Sequence, residues 1–240
     1  MAMGGVGRSG GTPLSAGVAA GLQADATGAP AQSRPHAPPQ PITVTAARVP
    51  EACLNTGAWQ HRLAGKGLLI PNFVLFQLAW LACIRAAALG WPLTGALCVA
   101  AVAAWHLRMA ARPRPEALLI ALSMALGAVV DSALLAGGLI HYTSGQWLPG
   151  LPPLWMVSLW GLLATTLNVS MGWLRGRPLL AAALGAVAGP LSYAAGVRLG
   201  AAQFTNDTAA LVALALTWAG CMPMLMTLAQ RLDGVQLHPP

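Results

Sequence analysis

The segment EALLIALSMALGAVVDSALLAGGLI, residues 116–140, decides the fold. Beyond Glu116 its one ionisable side chain is Asp131, and the run is long enough for a helix to cross the roughly 30 Å of a bilayer's hydrocarbon core. At about 100° per residue, Ser123, Gly127, Asp131 and Gly138 fall within about 80° of one another, one small and polar stripe. A carboxylate is costly against lipid, so this stripe faces other helices. Counting about 1.5 Å per residue from Glu116 puts Asp131 roughly 22 Å along the helix.

Outward from this segment the same texture repeats. Apolar runs near 67–89, 92–109, 116–140, 153–174, 178–199 and 208–230 predict six spans, the second being the weakest on length. Pro92, Pro113, Pro115, Pro152, Pro153 and Pro178 mark boundaries, because a first-turn residue needs no amide hydrogen. The expected fold is an all-α membrane protein, a bundle of six transmembrane helices over residues 67–230. No three-plus-three inverted duplication shows in the polar residues, which argues against the usual transporter architecture.

Composition agrees. Of the 240 residues 56% are hydrophobic and 8% charged, with mean hydropathy +0.63, whereas a soluble domain carries about 25% charged residues. A collagen-like, disulfide-scaffold or wholly disordered chain is excluded by the same figures. Cys53, Cys83, Cys98 and Cys221 have no metal-ligand spacing, and three of them lie in apolar runs, where a thiol packs as a small hydrophobe.

Residues 1–60 differ in kind, being rich in Gly, Ala, Pro, Ser and Thr, and read as a disordered cytoplasmic tail. They lack the ordered basic, apolar and cleavage regions of a secretory signal; a start codon further along would leave part of them unmade. Residues 231–240 read as a short C-terminal tail. Lys66 is the sole lysine, and the Ala, Gly, Pro and Arg usage points to a GC-rich bacterial genome.

The net charge of +7 would indicate nucleic acid in a soluble protein, but here it labels orientation. Arg62 and Lys66, then Arg108, Arg112 and Arg114, then Arg175 and Arg177, and finally Arg231 all fall on one side of six spans. The opposite loops, 141–152 and 201–207, have neither Lys nor Arg. Both termini are therefore expected in the cytoplasm, in the inner membrane of a bacterium. Trp91, Trp105, Trp147, Trp155 and Trp173 fall near span ends, where indoles favour the headgroup level.

The candidate site is polar and intramembrane. Arg85 shares a side of its span with Gln77, about 80° apart, and is expected to pair with Asp131. Arg198 projects about 200° from the stripe of Gly185, Gly189, Ser192, Gly196 and Gly200 and is expected to snorkel to the interface. Gly161, Thr165, Asn168 and Gly172 form a third stripe, with Asn168 serving as interhelical glue or a ligand contact. His106 reads as an interfacial histidine, and His141 with Tyr142 opens an outer loop. There is no HExxH, GxxxxGK[ST] or GxSxG motif and no pair of carboxylates within the spans, so no catalytic residue, metal or cofactor is expected.

Several runs together carry a resemblance: Asn72 to Trp80, Asp131, Leu159-Trp160 with Thr165 to Asn168, Trp173-Leu174, and above all Gly189 to Ala201. Over about residues 70–230 the chain resembles the bacterial inner-membrane proteins of domain of unknown function family 2878. That resemblance implies a multi-pass membrane protein encoded near genes for acyl-chain modification of lipids, and supplies no activity. It also places Asn72, Gln77, Asp131, Asn168, Ser192, Tyr193 and Arg198 in signature runs. The leading functional expectation is a non-catalytic or accessory protein engaging membrane lipid or a lipid-modifying membrane enzyme, with no nucleic-acid partner. A small-solute or proton-coupled transporter using Asp131 and Arg85, and an intramembrane lipid-modifying enzyme with Asp131 or His141 as acid or base, are the alternatives.

Overall fold

A computed structural model describes residues 67–235; the expected disordered tail, residues 1–60, and the last five residues lie outside them. The chain is mostly helical: α1 (Leu69–Ala88), α2 (Pro92–Met109), α3 (Pro113–Ala136), α4 (Leu154–Leu167), α5 (Pro178–Arg198) and α6 (Asp207–Arg231). Proline opens α2, α3 and α5, as the boundary prolines predict. Asn206 caps α6, its Oδ1 accepting the Ala209 N–H at 2.9 Å.

One expectation is corrected and another is met in part. The fold is not purely helical: β1 (Ile140–Tyr142) and β2 (Ala202–Phe204) pair antiparallel, with His141 opposite Gln203. Helix α3 therefore ends at Ala136, and the apolar residues Leu139 and Ile140, which read as helix, belong to the turn and the strand. Secondly, five helices are long and apolar enough to cross a membrane, while α4 has 14 residues, about 21 Å at 1.5 Å per residue. Its expected continuation to residue 174 is a turn followed by a 3-10 segment, Gly172–Leu174.

Helix α4 is the centre of the bundle, packed against α1, α2, α3 and α6. Eleven of its residues are buried, Trp155, Trp160 and Leu162 among them. Trp155, in the first turn of α4, is 2% exposed, its indole Nε1–H donating to the Ser144 carbonyl at 3.1 Å. Trp91 at the start of α2, Trp147 in the loop before α4 and Trp173 in the 3-10 segment are exposed. Helices α5 and α6 form a tight pair through the predicted glycine stripe: a Cβ on Gly185 or Gly189 would overlap Trp218 of α6. That pair leans on α3 and α4 through α6, so α5 and α1 stand apart along much of their length.

The two ends of the bundle differ. At one end lie the strands and the α1–α2 turn; at the other lie Arg108, Arg112, Arg114, Arg175, Arg177 and Arg231. Many apolar side chains on the outer surface, such as Ile70, Phe73, Leu78, Val129, Leu179, Val187 and Leu216, are exposed, the surface a helix presents to lipid.

Candidate functional site

Asp131 is fully buried in α3, on the stripe that the sequence assigns to the bundle interior. Its partners are not arginines. Tyr142 Oη of β1 and Tyr193 Oη of α5 each donate to Oδ1 at 2.7 Å, and Trp160 Nε1–H of α4 donates to Oδ2 at 2.9 Å. Gly127, one turn before Asp131, is where Trp160 lies across α3; a Cβ there would overlap the indole. Strand alternation explains Tyr142: it points inward and is 7% exposed, while His141 beside it points out. Burial, and next the Asp131 carboxylate, push the Tyr142 phenol well above its ordinary range, so it stays a donor.

The expected Arg85–Asp131 pair does not form. Arg85 and Arg198 are both exposed, in the last turns of α1 and α5, and neither pairs with a carboxylate among the described residues. There a guanidinium complements the helix C-terminus and keeps its hydration, which a buried position would strip away.

Tyr193 and Trp160 are also wall residues of a cavity of about 430 Å³. It opens sideways between α1 and α5, with Phe76, Gln77 and Trp80 on one side and Ala188, Leu191, Ser192 and Ala195 on the other. Trp218, stacked on Trp160 at 4.5 Å between centroids, and Met222 close its back. Its volume falls in the range of small-molecule pockets, about 300–1,000 Å³, and its lining is chiefly apolar. Gln77, Ser192 and Tyr193, all in the predicted polar set, thus come together here with Asp131 directly behind the wall.

Asn72 and Asn168 belong elsewhere, at the arginine-rich end. Asn72 Nδ2 donates to the Thr165 carbonyl at 3.0 Å and its Oδ1 accepts from Ser170 Oγ at 2.9 Å, tying α1 to the end of α4. Asn168 Nδ2 donates to Glu116 Oε1 at 2.7 Å, and its Oδ1 accepts from Arg175 at 2.7 Å. Glu116 was readable only as the start of a span, yet it is fully buried: His106 Nε2 lies 2.9 Å from its Oε2, and the Gly234 N–H donates to Oε1 at 2.8 Å. His106, in the last turn of α2, is accordingly buried at 3% exposure. Asp233 pairs with Arg175 at 2.7 Å, and the Arg112 N–H donates to the Gly234 carbonyl, so residues 232–235 fold onto the bundle. A signal existed in the first-turn carboxylate after Pro115, within a short connection of His106 on the preceding helix. Among the described residues no cluster of His, Cys, Asp and Glu has the makings of a metal site.

No curated protein and no solved structure matches the chain. The family model described as "Protein of unknown function (DUF2878)" matches residues 69–224, from the start of α1 to beyond Pro223 in α6, a stretch that includes both polar clusters' helices and the whole cavity. With five helices long and apolar enough to cross a membrane, the chain is therefore a multi-helix member of the DUF2878 family.

Proposed function

We propose that this protein binds a single lipid chain in the cavity between α1 and α5, as a non-catalytic or accessory component of a bacterial inner membrane. The observation that carries the reading is the cavity itself: about 430 Å³, chiefly apolar, and open sideways through the surface that faces lipid. The transport reading, and the enzymatic one where it uses Asp131, have less support, because solute would have to reach a carboxylate whose accessible surface is nil and whose oxygens already accept three hydrogen bonds. His141, the other acid or base, is exposed on β1 and does not line the cavity.

Native mass spectrometry of the full chain, purified in mild detergent, tests this. Wild type should retain one lipid-sized mass per chain. Ala188→Phe directs a ring into the cavity from an exposed position and should abolish retention without shifting the thermal midpoint. Equal retention by the variant would sink the proposal.

The proposed topology has six crossings, with α4 and the segment after it making the fourth, and the arginine-rich end in the cytoplasm. It rests on the distribution of Arg112, Arg114, Arg175, Arg177 and Arg231.

A further inference from the structure

A chain that leaves the bilayer for an apolar cavity exchanges one hydrocarbon environment for another and gains little hydrophobic free energy. What selects an occupant is therefore the small polar part of the wall. No charged side chain lines the cavity, and apart from the indoles its polar side chains are Gln77, Ser192 and Tyr193. The Tyr193 hydroxyl is spent on Asp131, and so is the Trp160 N–H. Gln77 and Ser192 have no hydrogen-bonding partner among the described residues. An amide or hydroxyl held in hydrocarbon is costly until something pairs with it, so both groups favour an occupant that brings its own oxygen.

Both groups stand inside the membrane layer. Gln77 follows Leu69, the first residue of α1, by eight residues and precedes Ala88, the last, by eleven, which is about 12 Å and about 16 Å along the axis. Helix α5 runs beside α1 in the same direction: a Cβ on Gly196 would sit 3.5 Å from Ile84, and one on Gly200 would sit 3.8 Å from Ala88. One turn back along both helices, Ser192 comes level with Trp80, so Gln77 lies about 4.5 Å deeper than Ser192 on the facing wall. The ester oxygens of a phospholipid sit at the boundary of the roughly 30 Å hydrocarbon core and do not reach Gln77. An oxygen at that depth belongs to a lipid whose polar group is uncharged and dissolves in hydrocarbon. The rest of the wall favours a flat one, because Phe76, Trp80, Trp160, Tyr193 and Trp218 present aromatic rings to the cavity, and such rings prefer offset or edge-to-face contact with another ring.

Resting on the lipid-chain reading of the cavity, we infer that its occupant is an isoprenoid quinone. The ring lies in the cavity, one carbonyl accepts from the Gln77 Nε2–H and the other from the Ser192 Oγ–H, and the prenyl tail leaves sideways between α1 and α5 into the bilayer. A quinone is uncharged and carries two acceptors on opposite edges of one plane, which suits two donors on facing walls offset by about one turn.

Quinones quench indole fluorescence, and Trp80, Trp160 and Trp218 line the cavity. The full chain in neutral detergent is titrated with a decyl-substituted benzoquinone and, in parallel, with a phosphatidylcholine brominated on its chains. The quinone should quench saturably, with one bound per chain. Gln77→Leu/Ser192→Ala should raise the quinone midpoint about tenfold, the loss expected for two neutral hydrogen bonds, and leave the midpoint of the brominated lipid unchanged. A secondary alcohol of equal chain length, which offers an oxygen without the ring, should displace the quinone only at about tenfold higher concentration. Ala188→Phe should remove saturable quenching by both lipids. An unchanged quinone midpoint in the double variant, a parallel rise for both lipids, or equal displacement by the alcohol would overturn the quinone inference; with Ala188→Phe still effective, the chain reading would stand. Saturable quenching that survives Ala188→Phe would overturn the chain reading itself.

Discussion

Asp131 shows how a carboxylate is kept inside a bundle without a cation. Two phenols and an indole supply its hydrogen bonds, and each brings apolar bulk with its single donor. Bonds to a charged acceptor contribute about 1.5–3 kcal/mol each, so Tyr193→Phe should lower unfolding stability by about that amount, read from thermal or denaturant unfolding in detergent. Asp131→Leu should cost more, because it leaves three buried donors without an acceptor. Adding Tyr142→Phe and Tyr193→Phe to it should recover part of the loss, since removing both sides of a hydrogen bond is cheaper than removing one. A triple variant no more stable than Asp131→Leu would show that the cluster is not held by these bonds. Glu116 is the second case: Glu116→Ala strips partners from His106, Asn168 and the Gly234 N–H, for an expected loss of about 3–5 kcal/mol by the same measurement. The stripe of Ser123, Gly127 and Asp131 made the inward orientation of Asp131 legible in the sequence. Its partners were not, because Tyr142 sits on a strand of three residues, and no helical angle relates it to α3.

At the scale of elements, the predicted glycine stripes are contact surfaces at Gly127, Gly161, Gly185 and Gly189, whereas Gly138 and Gly172 lie beyond the ends of their helices and meet no neighbour closer than 3.9 Å. Gly127 receives Trp160, while Gly185 and Gly189 receive Trp218, and the two indoles stack on each other. Gly127→Ala therefore has to displace Trp160 and with it the hydrogen bond to Asp131, an overpacking cost of about 1–3 kcal/mol. Gly220 in α6 is the control, with nothing within 4 Å of an added Cβ. Gly220→Ala should stabilise by up to about 1 kcal/mol through helix propensity alone. Opposite signs for the two substitutions in thermal unfolding are the expected result; equal small effects would mean that Trp160 is not seated on α3. The end of α4 was illegible for a related reason. Leu162 to Leu174 is apolar enough to continue a helix, but Thr165 and Thr166 turn their hydroxyls back onto the Leu162 and Leu163 carbonyls. Just beyond, Asn168 spends its side chain on Glu116 and Arg175, and the backbone turns toward the 3-10 segment. Apolar periodicity carries no information about such tertiary partners.

For the whole molecule the open question of geometry is how a helix of about 21 Å serves in a layer of about 30 Å. Irregular backbone is tolerated at membrane depth only where protein covers it, and α4 is packed by α1, α2, α3 and α6, with Met156, Leu159, Trp160 and Leu163 on the cavity wall. At the strand end, the loop from Thr143 to Pro153 is tied down: Ser144 Oγ donates to the Ala87 carbonyl at 2.7 Å and Thr143 Oγ1 to the Gly200 carbonyl at 2.9 Å. At the other end, Asn168, Ser170 and Arg175 bond to α1, α3 and the 232–235 segment. The short helix thus makes a complete crossing whose missing length is supplied by bonded turns. Under that reading Trp147 and Gly176 face opposite aqueous compartments, whereas a chain that crosses five times and only dips at α4 would put them on the same one. Single cysteines at these two exposed positions, in a chain with its natural cysteines replaced, should differ in labelling by a membrane-impermeant maleimide on intact cells. Trp147→Cys should react from outside, and Gly176→Cys only after lysis. Reaction of both from outside, or of neither, would remove α4 from the set of crossings and with it the placement of both ends of the chain on the arginine-rich side.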